Sequence, residues 1–66
     1  MYIATISGAN VKVFDVNTSA QVRMVGCASY KGAYSAVVEG GMLVISCGDG
    51  KVRVFDIKSG AQRRTF

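Results

Sequence analysis

A fifteen-residue segment occurs twice in this chain, 41 positions apart, and no other property narrows the fold as much. Residues 11–25, VKVFDVNTSAQVRMV, align with residues 52–66, VRVFDIKSGAQRRTF. Seven of the fifteen positions are identical: Val11/Val52, Val13/Val54, Phe14/Phe55, Asp15/Asp56, Ala20/Ala61, Gln21/Gln62 and Arg23/Arg64. Lys12/Arg53, Val16/Ile57 and Thr18/Ser59 are conservative exchanges. The same register extends back to the start, setting Met1 on Met42 and Ile3 on Val44. The 66 residues form one domain with a unit at 1–25, a connecting segment at 26–41, and the unit again at 42–66. Such a repeat marks one supersecondary element that is copied and stacked, because neither copy can bury its apolar surface alone.

Each unit reads as three short strands. Tyr2 to Ser7 is an apolar-rich run ended by Gly8-Ala9-Asn10; Val11 to Val16 is ended by Asn17-Thr18-Ser19; Gln21 to Val25 follows. In the second unit Met42 to Cys47, Lys51 to Ile57 and Gln62 to Phe66 are divided by Gly48-Asp49-Gly50 and Lys58-Ser59-Gly60. Asp49-Gly50 is a strong hairpin signal, since both residue types tolerate the positive φ of tight hairpin turns. The connecting segment adds a strand at Tyr34 to Glu39, closed by Gly40-Gly41. Ala33 to Val38 carries a short helical hint, which its length and the double glycine outweigh. Ten Val and four Ile against one Leu support strands throughout, because β-branched side chains fit the pleat. The expectation is an all-β chain of seven antiparallel strands.

Gly48-Asp49-Gly50-Lys51-Val52-Arg53-Val54-Phe55-Asp56-Ile57-Lys58-Ser59-Gly60 resembles the core of a WD repeat. That family's pattern is Asp-Gly, an alternating stretch, Trp-Asp and a Thr/Ser-Gly turn, at a period of about 40–45 residues. Val11-Lys12-Val13-Phe14-Asp15-Val16-Asn17-Thr18-Ser19 resembles the same element, with Ser19 in the glycine position. The resemblance implies about 1.75 propeller blades, in strand order b-c-d, a-b-c-d. It also implies that Phe14 and Phe55 take the tryptophan position between neighbouring sheets, and that Phe14, Asp15, Phe55, Asp56, Asp49 and Gly50 form the core of the repeat. The departures are specific. The family's Gly-His pair falls at Gly26-Cys27, the strand-b serine falls at Cys47, and the first unit has Gly8 where the second has Asp49. The usual network from histidine to the turn aspartate therefore cannot form.

Propellers have typically four to eight blades, and this chain carries fewer than two. A single core of this length is marginal, since small domains bury only about 60% of the surface of their unfolded chains. Two cysteines allow at most one disulfide, and without histidine the common zinc sites lose their main nitrogen ligand. Oligomerisation remains as the stabilising device, so the blades are expected to complete a closed ring from several copies. Met1 and the end of the second unit at Phe66 favour a complete small protein over a piece of a larger propeller. The competing architecture is a single small barrel of the Sm or OB type, which also assembles into rings through its edges.

Catalytic chemistry has few tools here. Acid–base work would fall to four carboxylates, two cysteines and three tyrosines. Asp15 and Asp56 end equivalent strands and are read as turn-fixing acceptors. Cys47 follows an apolar run and reads as a small buried hydrophobe, and no histidine can activate Cys27. The glycines mark turns and form no phosphate loop, and no cofactor or metal is expected. Charge is the remaining functional hint, with eight Lys and Arg against four Asp and Glu giving net +4. Arg63, Arg64, Arg53 and Lys51 cluster in sequence, and Tyr30 and Tyr34 flank Lys31. As solvated edge charge these residues discourage strand aggregation, or they belong to a subunit interface. As a basic face with stacking aromatics they would bind nucleic acid. No apolar run approaches a membrane span and no basic-then-apolar leader opens the chain, so a cytoplasmic protein with reduced cysteines is expected. The match of Asn17-Thr18-Ser19 to a glycosylation acceptor is then accidental. The function read from the sequence is a non-enzymatic interaction or scaffold protein that self-assembles into a β ring. A nucleic-acid-binding ring is the alternative.

Overall fold

The computed structural model describes every residue from Met1 to Phe66. β1 (Tyr2–Ser7), β2 (Asn10–Asp15) and β3 (Gln21–Gly26) form one antiparallel sheet in chain order. A 3-10 turn at Ala28–Tyr30 leads into a second antiparallel sheet. That sheet consists of β4 (Ala33–Glu39), β5 (Met42–Cys47), β6 (Val52–Asp56) and β7 (Gln62–Thr65), also in chain order. All seven strands lie within a residue or two of where alternation and turn residues put them, and Ala33 to Val38 is extended. No hydrogen-bonded ladder joins the two sheets. The chain therefore does not close into the single small barrel considered above, which would need one continuous ladder.

The repeat in sequence is a repeat in register. In the first sheet Lys12 faces Met24, Val13 faces Arg23, and a bulge then sets Phe14 opposite Gln21. In the second sheet Arg53 faces Thr65, Val54 faces Arg64, and the same bulge sets Phe55 opposite Gln62. The turns match as well. Ser19 N donates to Asp15 O and Gly60 N donates to Asp56 O, both at 2.8 Å. Asn17 N donates to Asp15 Oδ1 at 2.8 Å, and Lys58 N donates to Asp56 Oδ1 at 3.0 Å. Each aspartate thus fixes its own turn.

The 41-residue offset does not reach the first strand of the unit. Ile3 faces Phe14, whereas Leu43 faces Phe55. β1 therefore corresponds to β5 at an offset of 40, and Ile3 matches Leu43 rather than Val44. The extra residue is taken up in the β5–β6 turn at Gly48-Asp49-Gly50, which is one residue longer than its counterpart between β1 and β2.

Alternation gives each sheet two unlike faces. One carries Val11 and Val13 in the first sheet and Val52 and Val54 in the second. The other carries Phe14 and Val16 in the first and Phe55 and Ile57 in the second. The valine face of the first sheet packs on the phenylalanine face of the second. Val11, Val13, Leu43, Ile45, Phe55 and Ile57 form this core with Cys27 and Cys47, none more than 7% exposed. The sheets approach most closely where β1 passes β4 and open toward β3 and β7. Phe14 and Phe55 are therefore equivalent in the repeat and unlike in environment. Phe55 is buried between the sheets, while Phe14 is half-buried on the outer face. Phe55→Ala should lower stability by about 3–5 kcal/mol. At concentrations where the chain is dilute, Phe14→Ala should cost a small fraction of that, as read from denaturant midpoints of the two variants.

Candidate functional site

The connecting segment is pinned to the β5–β6 turn, and this contact uses several residues that the sequence offers as a basic face. Asp49 N donates to Tyr30 O at 3.0 Å, and Gly48 N donates to Gly32 O at 2.9 Å. Gly48 is required by close approach, because a Cβ there would collide with the Lys31 carbonyl. The Arg53 guanidinium donates twice to the Asp49 carboxylate, at 2.9 and 3.2 Å. It also stacks on the Tyr30 ring, 3.7 Å from its centre. Bidentate pairing supplies the partners that a buried guanidinium needs. The hydrogen bond from Arg53 holds the Asp49 carboxyl below the usual carboxylate range. The same bond, followed by the nearby Cys47, stabilises the charged form of Arg53. Burial, then the nearby Cys47, push the Cys27 thiol up, which keeps it protonated and unreactive.

The basic and aromatic candidates therefore separate. Arg53 is buried, which corrects its reading as a surface contact, and Tyr30 is committed to it. Lys31 follows the 3-10 turn with φ 64°, exposed, and Lys51 is exposed beside the Asp49 turn. Tyr34 is 75% exposed on β4. Arg63 pairs with Asp56 at 3.0 Å and holds that carboxyl below its usual range. Arg64 is exposed beside Val54 and Met42. Of these side chains Arg53, Tyr30 and Arg63 are thus engaged within the chain.

What the structure leaves open is one apolar face of each sheet. On the first sheet the outer face carries Ile3, Phe14, Val16 and Met24, of which Ile3 and Met24 are about half exposed. On the second sheet it carries Val37, Val44 and Val54 in one row, ending at Arg64. The total exposed surface, 4023 Å², is ordinary for a compact chain of this mass, so the composition of these faces marks them rather than their extent. The residue that sequence reasoning missed is Arg23. From the valine face of β3 it crosses to the second sheet, donating from Nε to Ile57 O at 3.1 Å and from Nη2 to Lys58 O at 2.7 Å. Its guanidinium lies over Gly60, where an added Cβ would come within 2.7 Å of Nη1. The identity Arg23/Arg64 was its only signal.

No group of three or more His, Cys, Asp or Glu side chains is placed to hold a metal ion. No helix is long and apolar enough to cross a membrane. Compared with protein-family models and with curated proteins, the sequence matches none.

Asp49 and Asp56 both have lowered carboxyl pKa values in the folded chain. Their contribution to stability is complete above the unfolded value, near 3.8–3.9, and is lost as pH falls through the lower folded values. Unfolding should therefore set in as pH drops below about 4. Asp49→Asn, which cannot take up that proton, should flatten the slope of stability against pH between about 4 and 2. Denaturant titrations of both proteins across this range measure it.

Proposed function

We propose that this chain is a non-enzymatic scaffold that assembles copy on copy into a closed ring of β sheets, in the manner of a WD-type propeller built from several subunits. One observation carries the reading. Within the chain, a valine face is buried on a phenylalanine face, and the two faces left open are again one of each kind. Stacking the open phenylalanine face of one copy on the open valine face of the next repeats a contact the fold already makes. The convergence of the sheets at β1 and β4 supports closure, since wedge-shaped units stacked in one sense curve round rather than extend. The resemblance of Gly48 to Gly60 to a WD repeat points the same way, and the buried, free thiols of Cys27 and Cys47 suit a reducing cytoplasm. Such a ring offers outer turns and a rim for protein partners. A nucleic-acid-binding ring draws less support, because Arg53, Tyr30 and Arg63 already have partners within the chain.

With two sheets per chain, a ring of four to eight blades needs two, three or four copies. Light scattering at micromolar concentration should give one discrete mass at two, three or four times 7.0 kDa. Phe14→Ala, which removes the centre of one open face, should yield a smaller, still folded species. A cooperative, folded monomer from the unaltered chain would overturn the reading. Retention on single-stranded RNA or DNA that falls steeply with salt would favour the nucleic-acid ring instead.

A further inference from the structure

We infer that Arg64 is the intermolecular counterpart of Arg23: it reaches into the next copy and donates to the main-chain carbonyls of Val16 and Asn17 beside Phe14. This rests on the ring reading above and names the contact that would join its subunits and fix their order.

Arg23 makes the only long-range side-chain hydrogen bonds in the chain, and the repeat gives it an equivalent. Arg23 faces Val13 across β2 and β3, and Arg64 faces Val54 across β6 and β7 in the same register beside the same bulge. Arg23 ends in the carbonyls of Ile57 and Lys58. The repeat equivalents of those two residues are Val16 and Asn17. Neither of their carbonyls accepts a backbone hydrogen bond. Val16 lines an open depression of about 250 Å³ together with Ile3, Phe14, Asp15 and Ser19, and Asn17 follows it in the chain. Arg64, for its part, is exposed and has no hydrogen-bond partner within the chain, while its neighbour Arg63 is tied to Asp56. A donor without acceptors and acceptors without a donor thus sit on the two faces that the fold leaves open. Their repeat positions are those of a clasp already formed inside the chain.

The two seats differ at one residue. Arg23 lies over Gly60, whereas the equivalent of Gly60 is Ser19, which holds a positive φ of 64° despite its side chain. A Cβ in that seat presses on the guanidinium, so Arg64 must lift away from the turn by a few tenths of an ångström. The intermolecular clasp is looser than the internal one. Removing the Ser19 side chain relieves both the contact and the backbone strain.

The contact is heterologous, so its polarity is testable as well as its strength. Sedimentation velocity over a dilution series of the full chain reads the strength. Arg64→Ser should raise the concentration at half-dissociation by about tenfold or more, which is ~1.4 kcal/mol per interface. It should leave the melting temperature of the dissociated chain unchanged. Ser19→Gly should move half-dissociation in the opposite direction. For polarity, chains carrying Ser19→Cys are mixed with chains carrying Arg63→Cys and treated with a short bis-maleimide. The buried Cys27 and Cys47 stay silent, and the expected product joins the two unlike chains. Products joining only like chains would overturn the clasp, for they mark a two-fold contact. A multimer whose dissociation neither Arg64→Ser nor Ser19→Gly alters would overturn the clasp and leave the ring standing. A wild-type chain that stays monomeric throughout would overturn both.

Discussion

The seating of Val11 and Val13 on Leu43, Ile45, Phe55 and Ile57 is the contact on which everything else in this molecule depends. It buries the valine face of one sheet on the phenylalanine face of the other, and these residues are at most 7% exposed. A sheet has two faces, and a chain with two sheets can bury only one face of each. The remaining pair is left to solvent with Ile3, Met24 and Val37 about half exposed. Beside Lys12 and Arg64 these faces keep Ile3, Phe14, Val16 and Met24 on one sheet and Val37, Val44 and Val54 on the other, more apolar surface than a sheet selected to meet only water would carry. The open faces keep the residue pattern of the buried ones because both come from one repeated unit.

That central contact is held at its two ends by arginines acting differently. At one end Arg53 is drawn inside and neutralised by Asp49 and the Tyr30 ring, which locks the connecting segment onto the β5–β6 turn. At the other end Arg23 spans the wider gap and ends on the carbonyls of the β6–β7 turn. A guanidinium suits both tasks because its planar fork satisfies two acceptors at once and its long stem covers apolar surface. The internal interface is thus apolar at its centre and directional at its margins, and the directional parts fix how the sheets sit on each other.

The strands and turns were legible in the sequence, and their use was not. Alternation, the Asp49-Gly50 turn and the paired Asp15 and Asp56 locate seven strands and their turns, while the matching bulges beside Phe14 and Phe55 carry no local signal. The identical residues also imply that Arg23 and Arg64 are equivalents, although nothing local says that one of them bridges two sheets. Arg53 stands in the alternating run Val52 to Ile57, where a charged residue reads as solvent-facing. It is buried because its partners come from a turn four residues back and from a segment more than twenty residues away. Two units with the same pattern also cannot reveal which face of each is covered, for that depends on the connecting segment and the docking it allows. The offset of 40 rather than 41 in the first strand escaped for a related reason. Apolar residues occupy both faces of β1 and β5, so a shift by one position still matches apolar to apolar.

The differences between the two units follow the same division between covered and open. On the covered phenylalanine face the second unit has Arg53 with its partner Asp49, then Ile57, and Gly60 under the guanidinium of Arg23. On the open face the first unit has Lys12 with Gly8 in its turn, the smaller Val16, and Ser19 at the positive φ. Each exchange on the open face gives up something: a bidentate pair, a methylene of apolar bulk, a seat free of strain. On the proposed ring the contact between copies would then repeat the internal one with weaker parts, so subunits would separate before the sheets within a subunit do. Such a hierarchy is what a chain of this size requires if it is to fold first and assemble second. A subunit whose outer faces were as adhesive as its inner ones would have no reason to prefer its own second sheet over a neighbour's. On that ring the asymmetry between Gly60 and Ser19 would be one means by which a repeated sequence tells its inside from its outside.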